Sequence, residues 1–213
     1  MKNYLSLSAL SVATVIILAG CGSDNEPATQ ASEPMASAQE SSSSATESDA
    51  EVSAEHNDAD AMFAQMMIPH HQQAVEMSDM MLAKDDISPA ITDLATRIKD
   101  AQGPEIRTMT NWLEAWDRPV MPEGAMDGHD MGSMGGMDGM IDDDQMADLE
   151  SAQGDDAVRM FLESMTEHHN GAVDMAQEEI DNGKNPEAIA LAQTIVETQQ
   201  AEIQEMEELL AEL

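Results

Sequence analysis

The chain has 213 residues and a formal net charge of −35, with 43 Asp and Glu residues against eight Lys and Arg residues. Because Lys and Arg supply the attraction to phosphate, this charge argues against nucleic acid and anionic lipid headgroups as partners. Aromatic residues make up 2% of the chain whereas Met occurs 20 times, so Met side chains must do much of the packing.

The first twenty residues are typical of an export signal. Lys2 precedes an apolar stretch over 5–20 that is too short for a dependable membrane span. The tetrapeptide that ends at Cys21 resembles the bacterial lipobox, in which this Cys carries lipid on its sulfur and amine. The alternative is an ordinary signal with a Cys there by chance. We predict a signal peptide over 1–20 and a lipid-anchored protein on the periplasmic or extracellular side of a bacterial membrane.

Residues 21–57 are rich in Ser, Ala, Glu, Gln and Thr and contain almost no large apolar residue. Such a stretch cannot bury enough surface to offset its ordering entropy, so we predict a lipidated, disordered linker. The remaining residues, 58–213, are enough for one domain. Cys21 is the only Cys, so no internal disulfide can form.

Two helices are predicted next, near 58–84 and 88–116, because apolar residues recur there with helical period. The second helix begins with an N-cap Ser followed by Pro. Pro69 and Pro104 lie inside these helices, and the apolar period continues through both. We therefore expect each proline to bend its helix without ending it.

The segment 118–157 is too long for a plain connection in a compact bundle. A short helix is predicted near 143–151. Gly, Asp and regularly spaced Met fill the rest, and thioethers favour Cu(I) and Ag(I) over hard ions. A compositionally biased linker is the alternative. The candidate ligands here are Met126, His129, Met131, Met134, Met137 and Met140.

The last part of the chain repeats the first hairpin. The motif with Met67, His70 and His71 returns with Met165, His168 and His169, and the following block from Pro89 returns from Pro186. Helices are therefore predicted near 155–183 and 186–212. Repeat one (58–117), the Met-rich loop (118–157) and repeat two (158–213) are predicted to form an all-α, antiparallel four-helix bundle made of two duplicated hairpins.

The two His-His pairs are the main candidate site. Adjacent helical residues point about 100° apart, so His70 and His168 lie near the middle of the apolar stripe and His71 and His169 at its edge. We expect core-facing Glu105 and Glu202, each three residues after a buried Gln (Gln102 and Gln199), to pair with the central His70 and His168. Metal binding and a purely structural polar core layer both fit this pattern.

Both repeats resemble the bacterial family labelled domain of unknown function 305, over roughly 58–212. The resemblance implies a ferritin-like four-helix fold and export from the cytoplasm. Because one member of the family binds copper, the resemblance also implies a role in copper handling. The residues that carry it are Phe63, Met67, His70, His71, Gln72, Ala74 and Met77, then Phe161, Met165, His168, His169, Asn170, Gly171, Ala172, Met175 and Ala176, and the block from Gln102 to Leu113 with its echo from Gln199 to Leu210.

A non-enzymatic protein that binds or buffers copper or silver ions in the cell envelope is the leading functional hypothesis. A metal-free structural or stress-related scaffold is the alternative. A di-iron oxidase requires Glu-x-x-His motifs, and no acidic residue stands three positions before any paired His. The candidate metal ligands of the bundle are His70, His71, His168, His169, Met67, Met77, Met165 and Met175. Metal ions and, through the lipid anchor, the membrane are the predicted partners, and the sequence does not identify a protein partner.

Overall fold

The computed structural model describes residues 53–120 and 139–213, and the described part consists of helices and connections without a strand. Helices α1 (Asp58–Leu82) and α2 (Pro89–Ala115) form one hairpin, and α4 (Gly154–Asn182) and α5 (Pro186–Glu212) form another. The short helix α3 (Asp143–Ser151) precedes α4. The hairpins join mainly where α1 packs against α4. The predicted all-α four-helix bundle is confirmed, and every predicted helix end lies within two residues of the observed one.

Side-chain caps fix the beginnings of three helices. Asn57 accepts hydrogen bonds from the N–H groups of Ala59 and Asp60 at α1, and Asp142 caps α3 in the same way. Asn185 caps α5 directly before its first-turn proline. Ser88 occupies the N-cap position of α2 but makes no side-chain hydrogen bond there. Pro69 and Pro104 lie inside α1 and α2, and neither ends its helix, as predicted.

The core consists of two apolar clusters at different levels of the bundle. The first contains Met67 of α1 together with buried residues such as Trp112 and Ile195. The second contains Met165 of α4 together with buried residues such as Leu94. Between them lies a polar layer, to which each long helix contributes two residues. These are His70 and His71, Gln102 and Glu105, His168 and His169, and Gln199 and Glu202.

The end of the predicted linker lies against the bundle, so the linker does not extend to residue 57. The carbonyl of Ser53 accepts hydrogen bonds from Trp116 Nε1 at 3.1 Å and from Asn185 Nδ2 at 3.3 Å. The ring of His56 stacks on Trp116 with centroids 4.7 Å apart. These are backbone and aromatic contacts, which a prediction based on low apolar content cannot detect. Among the described residues, no helix is long and apolar enough to cross a membrane.

Candidate metal centre

His70 of α1 and His168 of α4 meet across the interface between the two hairpins. Their ring centroids are 3.7 Å apart, the planes are tilted by 39°, and both side chains are fully buried. Each lies on the stripe of its helix that faces the other hairpin, as its central position in the apolar period predicts. The two repeats of the chain therefore contribute one imidazole each to a shared contact at the centre of the bundle.

The second His of each pair binds a carboxylate within its own hairpin. His71 Nε2 lies 2.8 Å from Glu105 Oε2, and His169 Nε2 lies 2.8 Å from Glu202 Oε2. The expectation that these Glu residues pair with His70 and His168 was wrong. The reason is the rotation of about 100° between adjacent helical residues, which directs the central His across the bundle and the edge His toward the neighbouring helix of its hairpin.

These carboxylates determine which ring nitrogen of the edge histidines is protonated. A carboxylate only accepts hydrogen bonds, so we assign the proton to Nε2 of His71 and of His169, which leaves the lone pair of a neutral ring on Nδ1. Both Nδ1 atoms are buried and have no hydrogen-bond partner among the described residues. Metal-bound histidines commonly donate their other N–H to a carboxylate in this way. The donor set therefore fits a metal ion held by neutral imidazoles.

Its surroundings hold His168 in the neutral form. Burial lowers its pKa well below the usual value, and the neighbouring His70, His169 and His71 lower it further. A neutral imidazole offers a nitrogen lone pair, which is the form that binds metals. Near neutral pH, this histidine can therefore act as a ligand without first releasing a proton.

Two of the four candidate methionines of the bundle lie close to the polar layer along their helices. Met67 and Met165 are fully buried, and each stands three and four residues before its His pair, the spacing that places side chains side by side. Met77 and Met175 are also buried. They stand six residues after His71 and His169, about 9 Å further along the helix axis, and so belong to the apolar clusters more than to the layer.

The described residues contain no group of three or more His, Cys, Asp or Glu side chains arranged to hold one metal ion. Gln102 and Gln199 are buried beside the layer, and the Oε1 atoms of both have no hydrogen-bond partner in the described part of the chain. The layer thus holds several polar atoms whose hydrogen-bonding capacity is not used there.

The candidate ligands of the loop divide into two groups. Met126, His129, Met131, Met134 and Met137 lie outside the described residues, as does Cys21. Met140 is described and is partly buried. Its neighbour Ile141 is buried and exchanges two hydrogen bonds with the side chain of Gln73. Sequence reasoning missed Gln73, because a Gln on a helix shows no sign of a partner almost seventy residues away.

A second buried polar site was also missed. Asp60 of α1 accepts hydrogen bonds from the backbone N–H groups of Lys184 at 2.9 Å and Asn185 at 2.7 Å. Burial acts to raise the pKa of Asp60, but hydrogen bonds from Asn185, Glu179, Asn57 and Lys184 together lower it. Burial first, and then Asp60 itself, raises the pKa of Glu179 to about 8. One carboxylate and one protonated carboxyl therefore join α1 to the end of α4.

The fold and the duplicated His pairs place the chain in a defined class, that of four-helix bundles with a histidine-rich layer shared by two hairpins. Residues 60–210 match the family described as domain of unknown function (DUF305), and the chain belongs to that family. No protein with a curated description matches it.

Several solved structures share the fold at substantial identity. A Streptomyces coelicolor protein described as secreted is 37% identical, with a TM-score of 0.64 over 72% of this chain and 91% of the other. A fragment from Deinococcus radiodurans is 31% identical, with a TM-score of 0.64 over 74% and 98%. CopM in its Cu(II)-bound form is 34% identical, with a TM-score of 0.60 over 72% and 96%. CopM has also been solved in Cu(I)-bound and Ag-bound forms.

Proposed function

We propose that this protein is an exported, lipid-anchored and non-enzymatic binder of Cu(I) or Ag(I) that buffers or passes these ions in the cell envelope. The observation that carries the proposal is the pair of His–Glu hydrogen bonds. His71 and His169 each present a buried Nδ1 lone pair, and Met67 and Met165 stand one helical turn away. Thioether and neutral imidazole donors together select soft cations.

The relatives support the same class of ligand. CopM, which shares about a third of its residues with this chain, has been solved with copper and with silver. Location outside the cytoplasm is supported by the Streptomyces coelicolor relative described as secreted. It is also supported by the export signal and lipobox of this sequence. The Met-rich loop supplies further thioethers, which a loop has no packing reason to contain.

A structural role for the polar layer is the second candidate. It is favoured by the lack, among the described residues, of three His, Cys, Asp or Glu side chains grouped around one point. In that case each His–Glu hydrogen bond would fix the register of the two helices within its hairpin, as buried polar groups do in some bundles, and the protein would be a scaffold. The two candidates predict different responses to Cu(I).

An anaerobic titration of the full-length protein with Cu(I), against a coloured Cu(I) chelator, tests the proposal. We expect removal of both edge imidazoles (His71→Ala with His169→Ala) and deletion of 126–137 each to lower the number of ions bound. The matched control is His56→Ala, which removes an imidazole that stacks on Trp116 outside the layer and should leave the stoichiometry unchanged. Zn(II) should compete poorly, because thioethers outnumber imidazoles among the candidate ligands.

Thermal unfolding with and without Cu(I) separates the two candidates. An ion that binds the folded protein raises the melting temperature by mass action. The variant without the edge histidines, His71→Ala with His169→Ala, should lose most of this effect. If this variant is less stable without metal but gains as much from Cu(I) as the parent, the layer is structural and the loop is the metal site. If the parent binds neither Cu(I) nor Ag(I), the scaffold candidate replaces the proposal. Zn(II) binding as tight as Cu(I) binding would indicate His and carboxylate ligation instead.

A further inference from the structure

The end of the Met-rich loop is docked on the bundle beside the polar layer. Gly139 has a φ of +90°, a backbone conformation that favours glycine. A Cβ atom at this position would lie 2.3 Å from the carbonyl oxygen of Glu167 and 3.0 Å from the Cα of His168. The backbone of Gly139 therefore touches α4 at one of the two central histidines, and any larger residue would push it away.

Two residues later, the chain is bound to α1. The N–H of Ile141 donates to Gln73 Oε1 at 3.0 Å, and Gln73 Nε2 donates to the carbonyl of Ile141 at 2.8 Å. The Ile141 side chain is buried in the second apolar cluster. Gln73 follows His71 by two residues, about 3 Å along the helix axis. The docked segment, residues 139–141, thus spans from α4 to α1 at the level of the His pairs.

Met140 is the middle residue of this docked segment. Consecutive Cα atoms are 3.8 Å apart, so the contact between Gly139 and His168 holds the Met140 backbone within about 8 Å of the His168 Cα. Met140 is partly exposed, whereas the four histidines are fully buried. It is also the last member of the Met-x-x-Met series that begins at Met131. A partly exposed methionine is therefore anchored on both sides, through Gly139 and Ile141, at the level of the buried imidazoles.

We propose that Met140 is a transfer ligand, which receives Cu(I) or Ag(I) from outside the bundle and delivers it to the His pairs. This inference rests on the proposed function. In the transfer, the bond between the cation and the Met140 sulfur breaks as a bond to an imidazole nitrogen forms. The ion keeps its oxidation state and charge, and no proton or electron moves. Gly139 and Gln73 are positioning residues, because they hold Met140 in place without touching the ion.

The rate at which Cu(I) passes from a coloured chelator complex to the full-length protein tests this role. Cu(I) uptake by the polar layer is the kinetic phase that disappears in the double variant His71→Ala with His169→Ala. We expect Met140→Leu, which removes the sulfur but keeps the bulk, to slow this phase about tenfold while the final stoichiometry of the layer stays the same. We expect Gly139→Ala, which keeps the sulfur but displaces the segment, to slow it as well.

Met146→Leu is the matched control, since Met146 is a partly buried residue of α3 that packs on the second apolar cluster outside the docked segment. It should leave the rate unchanged. If Met140→Leu loads the layer within twofold of the parent rate, the proposal is overturned. It is also overturned if Met140→Leu lowers the final stoichiometry of the layer, because Met140 would then be a resident ligand. A parent that shows no layer phase would instead contradict the proposed function itself.

Discussion

The carboxyl pair of Asp60 and Glu179 makes stability depend on pH. The pKa of Glu179 is raised to about 8 by burial and by Asp60, whereas in the unfolded chain it has an ordinary value near 4.5. Between these values the folded protein binds a proton that the unfolded chain has lost. Stability from this group is therefore complete below pH 4.5 and is lost as pH rises through about 8. Asp60 has a lowered pKa, so its contribution to stability is instead lost as pH falls into the acidic range.

We predict that Glu179→Gln reduces the loss of stability between pH 5 and pH 8, because Gln cannot ionise. The difference between variant and parent should grow by on the order of 3 kcal/mol across this range. Urea unfolding at several pH values measures it. Glu178→Gln is the control, since it makes the same side-chain change at an exposed neighbouring position. Equal pH profiles for Glu179→Gln and the parent would show that Glu179 is ionised in the folded state.

The individual residues of the site could be predicted from the sequence only in part. Helical period correctly placed His70, His168, Gln102 and Gln199 in the core. It placed His71 and His169 at the edge of the apolar stripe, and the structure buries these two histidines fully as well. It could not tell which neighbour each His meets, because a helical period gives an angle and not the position of the next helix. Glu179 and Gly183 illustrate the same limit. A Cβ at Gly183 would lie 2.3 Å from Glu179 Oε1, and nothing in the local sequence indicates this crowding.

Within the helices, the two repeats allow the effect of a proline to be compared at two corresponding positions. Pro104 lies inside α2 at an exposed position, and the corresponding residue of α5 is the exposed Ala201. Proline lacks the N–H that would bind the carbonyl four residues earlier and is about 3 kcal/mol less favourable than Ala inside a helix. Its restriction of the unfolded chain offsets up to about 1 kcal/mol of this cost.

We predict that Pro104→Ala raises the free energy of unfolding by about 1–3 kcal/mol, as measured by guanidinium unfolding. The reverse change in repeat two, Ala201→Pro, should lower it by a similar or larger amount. If Pro104→Ala is instead destabilising, the backbone geometry that this proline imposes is needed to bring the next residue, Glu105, to His71. Circular dichroism would show whether both variants keep the helix content of the parent.

The helices themselves were the most predictable feature of the chain. Their ends depend on local chemistry, such as the Asn185 cap before Pro186, and their faces depend on a period that survives in both repeats. The docking of residues 53–57 and of 139–141 could not be predicted, because both rest on contacts between the backbone and side chains that are distant in sequence. The loop composition predicted soft-metal ligands but not where the loop returns to the bundle.

In the whole molecule, the duplication explains why the polar layer lies at the centre. Each hairpin carries one edge His bound to one Glu, and the two hairpins meet through His70 and His168. An apolar cluster lies on either side, so water is excluded from both directions along the bundle. Neither repeat alone could build such a layer, since half of the imidazoles come from each. The layer is thus a product of the assembled fold.

The proposed attachment to the membrane depends on the charge of the whole chain as well as on Cys21. With a net charge of −35, the protein is repelled by anionic lipid headgroups, so electrostatic attraction cannot hold it at the surface. Each buried CH₂ group of a lipid contributes about 0.8 kcal/mol, and one acyl chain alone gives only marginal binding. A lipobox Cys modified on both sulfur and amine would carry more than one chain. The predicted anchor at Cys21 would therefore be sufficient without any basic patch.

We predict that Cys21→Ser leaves an unprocessed or soluble chain in place of the membrane-associated protein. Detergent-phase partitioning measures the attachment, and the intact mass of the purified chain shows whether lipid is present. A wash at high salt is the control, because salt screens charges but does not weaken the burial of acyl chains, and it should not release the parent. If the Cys21→Ser chain, with its signal removed and no added mass, still enters the detergent phase, the membrane contact must lie elsewhere in the sequence.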